Sequence, residues 1–163
     1  MFIGLISDTH GTFSAEFREF LAPVDEIWHA GDFGGGLETA KEIAAFKPLL
    51  GVYGNCDNFD LRYEHPQFRF WDCEGMKVLM THIGGSPGHY YPEARGLIRD
   101  YRPDIFVCGH SHILKVMNDP SERLLYLNPG AAGILGWHTV RTALRFHIEG
   151  GNIRDMEVFK LPR

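Results

Sequence analysis

The stretch FIGLISDTHG, residues 2–11, is a short apolar run that stops at a polar turn carrying one carboxylate and one imidazole. A run of this length bounded by turn residues reads as a buried strand feeding a loop. The pattern then recurs twice. Residues 25–30 stop at Gly31-Asp32, and residues 49–53 stop at Gly54-Asn55-Cys56-Asp57. Between these runs, residues 13–21 and 37–46 place apolar side chains at helical spacing, with Ser14 as a cap for the first. Alternation of the form β-α-β-α-β favours parallel strands with helices packed on them.

Downstream, residues 58–66 are polar, lack a period and read as a loop. Residues 67–71 and 76–80 flank Glu74-Gly75 as a hairpin whose second strand delivers Thr81-His82. A glycine-rich segment, 84–88, reads as a flexible loop. Helical spacing returns over 92–101, and a strand over 105–108 is closed by Gly109-His110-Ser111-His112. Residues 114–117, 124–127, 143–148 and 153–159 read as antiparallel strands joined by polar turns. No linker or repeat interrupts the chain, so one domain over 1–163 is expected.

The formal net charge of −5 argues against broad binding to nucleic acid or to anionic membranes. A phosphate ligand would need a local source of positive charge. The three cysteines Cys56, Cys73 and Cys108 form no C-x-x-C pair, which suits reduced thiols in the cytoplasm. No apolar run reaches the ~18 residues of a membrane span.

The residues that carry chemistry fall directly after the expected strands: Asp8 and His10, Asp32, Asn55, His82, and His110 with His112. In open α/β sheets ligands bind beyond the carboxyl ends of the strands, where residues distant in sequence meet. Asp8/His10 and His110/His112 are each two apart, and an extended backbone would put each pair on one side. Four imidazoles, two carboxylates and an amide suit manganese, iron, zinc, cobalt or nickel. One ion would take Asp8, His10 and His112, and a second Asn55, His82 and His110, with Asp32 bridging.

These five turns, D-T-H, G-D, G-N-C-D, T-H and G-H-S-H, resemble in order the signature of the calcineurin-like metallophosphoesterase superfamily, and Asn128-Pro129-Gly130 resembles a later motif. The short chain is most similar to the small prokaryotic single-domain branch of YfcE-type phosphodiesterases. The resemblance implies an α/β fold built as a four-layer αββα sandwich, with two mixed sheets flanked by helices. It also implies two divalent transition-metal ions, most often Mn²⁺, and hydrolysis of a small phosphodiester by a metal-bridging hydroxide. Two ions about 3.5–4 Å apart activate a shared water and clamp phosphate oxygens.

The chain departs from the signature twice. Cys56 stands where the wider family has the histidine credited with protonating the leaving group, which puts a factor of about 10²–10⁴ at stake and favours diesters over alkyl monoesters. His82 lacks its usual neighbouring histidine, and His89 is the residue expected to replace it at the substrate. A phosphomonoesterase, and a protein-interaction scaffold of the retromer-subunit type, are the alternatives. Asp57 reads as a loop-orienting residue, and His29, His65, His138 and His147 as surface or satisfied core histidines. The loop near Tyr90 and Tyr91 reads as a lid or as a subunit contact in a homo-oligomer.

Overall fold

In a computed structural model describing residues 1–163, the chain forms twelve strands and four helices. In order they are β1 (Phe2–Ile6), α1 (Ala15–Leu21), β2 (Glu26–His29), α2 (Glu38–Phe46), β3 (Leu49–Gly51), α3 (Phe59–Glu64), β4 (Phe68–Cys73), β5 (Met76–Thr81), β6 (Gly85–Ser86), β7 (His89–Tyr90), α4 (Pro92–Tyr101), β8 (Ile105–Val107), β9 (Leu114–Asp119), β10 (Leu124–Pro129), β11 (Val140–Glu149) and β12 (Asn152–Pro162). One sheet has the order β12-β11-β1-β2-β3 and the other β4-β5-β8-β10-β9. Both are mixed. β1, β2 and β3 are mutually parallel, as are β5, β8 and β10, while β4, β9, β11 and β12 pair antiparallel.

Period-two burial explains why two sheets stack. Ile3 and Leu5 of β1 meet Val78 and Met80 of β5, and Ile105 and Val107 of β8, in the apolar layer between the sheets. The alternate residues Ile6 and Ile27 face outward and pack with Phe17 and Leu21 of α1, Ile43 of α2 and Leu61 of α3. On the other outer face, Leu79, Phe106 and Tyr126 pack with Ala94 and Ile98 of α4. The result is the expected αββα sandwich. Gly4 shows how tightly α1 lies on β1, since a Cβ there would come within 2.5 Å of the Leu21 side chain. No helix is long and apolar enough to cross a membrane.

Two expectations need correction, and a third narrows. Residues 58–66 contain α3, capped by the Asn58 side chain, which accepts from the Leu61 N–H at 3.1 Å. Six residues with one buried side chain, Leu61, are too few to show a helical period. The glycine-rich segment is a small hairpin, with Gly85 pairing Tyr90 and Ser86 pairing His89. Tyr90 is consequently buried, and its hydroxyl donates to Asp119 Oδ2 at 2.7 Å, which leaves Tyr91, 51% exposed, as the aromatic of this loop that faces solvent.

Candidate metal centre

The parallel strands β1, β2, β3, β5 and β8 all stop at one end of the sandwich, and their following turns are bound to one another. Asp8 N–H donates to Gly31 O at 2.9 Å, His10 N–H to Asp32 O at 3.1 Å, and Gly11 N–H to Phe33 O at 2.7 Å. Asp57 fastens the third turn to the second: its carboxylate accepts from the backbone N–H groups of Asp32 (2.9 Å), Gly54 (2.8 Å) and Gly34 (3.2 Å). The reading of Asp57 as a loop-orienting residue holds.

The backbone route to convergence differs from the sequence expectation. Asp8, His10, Asp32, His110 and His112 have φ of +53°, +44°, +57°, +68° and +59°, so none is extended. Left-handed backbone costs L residues roughly 1–2 kcal/mol each and is tolerated best by Asp, Asn and His. Each pair comes together by a tight left-handed turn. Such conformations gather where surrounding structure over-determines them, and here the inter-turn hydrogen bonds and Asp57 do so.

Side-chain hydrogen bonding then decides which atoms face the centre. Asp8 is fully buried; its Oδ2 accepts from Ser7 Oγ–H (2.6 Å) and from His110 N–H (3.1 Å), leaving Oδ1 toward the cluster. Asp32 Oδ1 accepts from Cys56 N–H at 2.8 Å, leaving Oδ2 at 3.2 Å from His82 Nε2 and 3.7 Å from His10 Nε2. His82 Nδ1 lies 2.6 Å from the Ala30 carbonyl, which only accepts, so Nδ1 carries the proton and Nε2 turns inward, 3.1 Å from Asn55 Oδ1. His112 Nε2 is 3.0 Å from Asp8 Oδ1. His110 is exposed, and its ring meets that of His82 edge-on at 5.3 Å.

Three sets of ligand-type atoms lie within 4.8 Å of one another: Asp8/His10/His112, His10/Asp32/Cys56 and Asp32/His82/His110. The first matches the expected grouping of one ion. In the third Asp32 sits with His82 and His110, while Asn55 approaches through His82, and the second joins Cys56 to His10 and Asp32. The electrostatics are those of carboxylates and imidazoles packed close enough to shift one another. Burial works to raise the Asp8 and Asp32 carboxyls, yet the neighbouring histidines hold both below the ordinary carboxylate range. Conversely the bond to Asp8 lifts His10, and at His82 the two carboxylates overcome a desolvation that opposes protonation. The donor set, imidazole nitrogens with carboxylate oxygens, fits a borderline divalent ion.

Cys56 is exposed beside this cluster, and desolvation followed by the Asp32 carboxylate pushes its thiol above the ordinary value. His89 is exposed on β7 and lines a cleft of about 650 Å³ together with His110. His29 is a satisfied core histidine: Thr9 donates its hydroxyl proton to Phe33 O (2.8 Å) and so accepts from His29 Nε2–H (2.9 Å), while Gly31 N–H donates to His29 Nδ1 (3.1 Å). Burial depresses its pKa to about 3, so it stays neutral.

His138 is the neighbour of the cluster that sequence reading missed. Its Nε2 is 2.9 Å from Gly133 O, which fixes the proton there in the neutral ring. Its Nδ1 is then an acceptor, 3.2 Å from His112 Nδ1, so His112 donates from Nδ1 and keeps the Nε2 lone pair toward Asp8. Gly136 makes room for this pair, because a Cβ there would lie 2.4 Å from His112 Nδ1. Twenty-six residues separate the two histidines, and no motif spacing links them.

The sequence profile of the calcineurin-like phosphoesterase superfamily domain matches residues 1–151. Over 143 residues the chain is 30% identical to a probable metallophosphoesterase of Methanothermobacter thermautotrophicus, covering 80% of this chain and 77% of that protein. Among solved structures, Vps29 of Chaetomium thermophilum superposes with a TM-score of 0.77 at 16% identity, over 99% of this chain and 97% of that one. An archaeal phosphodiesterase superposes with a TM-score of 0.70 at 24% identity, over 98% and 100%. At such identities the two structures speak for the fold, whereas the profile and the archaeal relative speak for descent: the chain belongs to the calcineurin-like phosphoesterase superfamily.

Proposed function

We propose that this metal-dependent phosphoesterase is a cytoplasmic phosphodiesterase that binds two divalent transition-metal ions, Mn²⁺ foremost, and hydrolyses a small diester. The observation that carries the reading is the convergence of Asp8 Oδ1, Asp32 Oδ2, Asn55 Oδ1, His82 Nε2 and His112 Nε2, each on a side chain whose other polar atom is bound elsewhere. In this reading Asp8, His10 and His112 hold one ion, Asn55, His82 and His110 the other, and Asp32 lies between them. When bound, the ions supply the positive charge that acidifies a water and neutralises phosphate oxygens. The chain's own residues fix the approach: Asn55 and His89 border the places where phosphate oxygens and the ester arm rest, and Cys56 stands where the leaving group departs.

Protein purified without chelator should carry transition metal and hydrolyse bis(p-nitrophenyl) phosphate in Mn²⁺ faster than the corresponding monoester. The variant Cys56→His should raise the monoesterase share. No hydrolysis of either ester after full metal reconstitution would count for the scaffold reading, which the fold likeness to Vps29 favours and the intact ligand set opposes.

His138 is a positioning residue in this scheme. Removing a partner that orients a metal-binding imidazole typically costs about 10–100-fold in metal affinity. We expect a loss of that size for His138→Ala by titration calorimetry. His138→Gln, whose amide oxygen still accepts from His112, should recover part of it. Equal affinities for wild type and both variants would exclude the role.

A further inference from the structure

We propose that the cleft beside His110 receives a second anionic group of the substrate, a phosphate or carboxylate carried on one ester arm, with Lys115 as its charge partner. The inference rests on the phosphodiesterase reading and narrows its substrate class. The cleft, about 650 Å³, is far larger than one phosphoryl group requires and falls in the range of sites that enclose a nucleotide-sized ligand.

Its side chains include one cation, Lys115, and the hydroxyls and imidazole of Ser86, Ser111 and His89, which can donate. No Asp or Glu borders it, although the chain carries 21 of them and a net charge of −5. Lys115, half-buried on β9, enters no ion pair; the pairs outside the metal centre are all made by Arg18, Arg145 and Arg154. An anionic group in the cleft would supply Lys115 with the counter-charge that the chain does not. Ser111 Oγ already accepts from Asn128 Nδ2 (3.0 Å) and from Ile113 N–H (3.2 Å), so its own proton is left to donate. Ser86 and His89, on the facing hairpin, add two more polar groups without side-chain partners.

The apolar walls match the body of such an arm. Tyr91 and Ile113 line the same cleft and are 51% and 65% exposed. A flat ring can lie against them with its charged end at Lys115 and its ester phosphorus at the metal centre, because His110 belongs to both the cleft and the ligand cluster. A phosphodiester of a nucleoside-like alcohol bearing a further phosphate has this layout.

The test compares the p-nitrophenyl phosphodiester of thymidine with the same ester carrying a further phosphate on the other sugar hydroxyl, so that scissile bond and leaving group are identical. Wild-type protein in Mn²⁺ should prefer the phosphorylated probe about 10- to 100-fold in kcat/KM, the range for a charge-assisted contact, and mainly through KM. Lys115→Met should bring the ratio of the two kcat/KM values towards one, and Lys115→Arg should restore much of it. A wild-type ratio near one, or a preference that survives in Lys115→Met, overturns the proposal while leaving the phosphodiesterase reading in place. If neither probe is cleaved, that reading fails. Calorimetry then decides the cleft by itself: tighter binding of thymidine bisphosphate than monophosphate, lost in Lys115→Met, supports it, and equal binding overturns it.

Discussion

Asp32→Ala should remove both metal and activity. Its Oδ2 is the oxygen within 3.7 Å of both His10 and His82, one from each half of the ligand set, so the variant takes away the group shared by the two halves. Stabilisation of charge by bound metal is worth several kcal/mol in the transition state, so kcat/KM for a diester should fall by about 10³-fold or more. Metal content should fall with it. Asp32→Ala also leaves the Cys56 N–H without its acceptor, so near-ultraviolet circular dichroism must first show that the fold survives. A folded Asp32→Ala protein that keeps two equivalents of metal and hydrolyses within tenfold of wild type would refute the shared role.

The largest effect on stability is expected at Asp57, a residue with no proposed contact to metal or substrate. Its buried carboxylate serves three backbone donors. Each buried donor left unpaired costs about 1–3 kcal/mol, and water entering the space left by alanine recovers part of that. A net loss of about 3–5 kcal/mol follows for Asp57→Ala, which in a domain of this size lowers Tm by roughly 10 °C. Asp57→Asn keeps one acceptor oxygen, which can remain at the Oδ2 position shared by Asp32 and Gly54, and turns its NH₂ toward Gly34. Its Tm should lie between the two. Thermal melts of the three proteins would contradict the assignment if Asp57→Ala melted within a degree or two of wild type.

The strands and the ligand-bearing turns were legible in the sequence because each apolar run ends abruptly at residues unsuited to a strand. Ile6 gives way to Ser7-Asp8 and Val107 to Gly109-His110, a change visible without knowledge of the fold. What the sequence concealed has physical causes. The pairs Asp8/His10 and His110/His112 converge through left-handed turns held by hydrogen bonds from other loops, which spacing along the chain does not encode. Helix α3 is stabilised by an Asn58 cap and one buried leucine, too little periodicity to register. The roles proposed for His138 and Lys115 rest on neighbours brought by the sheets: Gly133 and His112 for one, a cleft without carboxylates for the other. Tyr90 looked available until Asp119, on a strand of the second sheet, engaged its hydroxyl.

The ligand set is also divided between the two sheets. Asp8, His10, Asp32 and Asn55 follow strands of the first, and His82, His110 and His112 follow strands of the second. An ion held by both halves would therefore act as a rivet across the open end of the sandwich, since it would bind only where the two layers are in register. By mass action such a ligand adds about 4 kcal/mol to the folded state at a thousandfold excess over its Kd. Under the two-ion reading, removing metal would therefore lower the thermal stability of the chain as well as its activity.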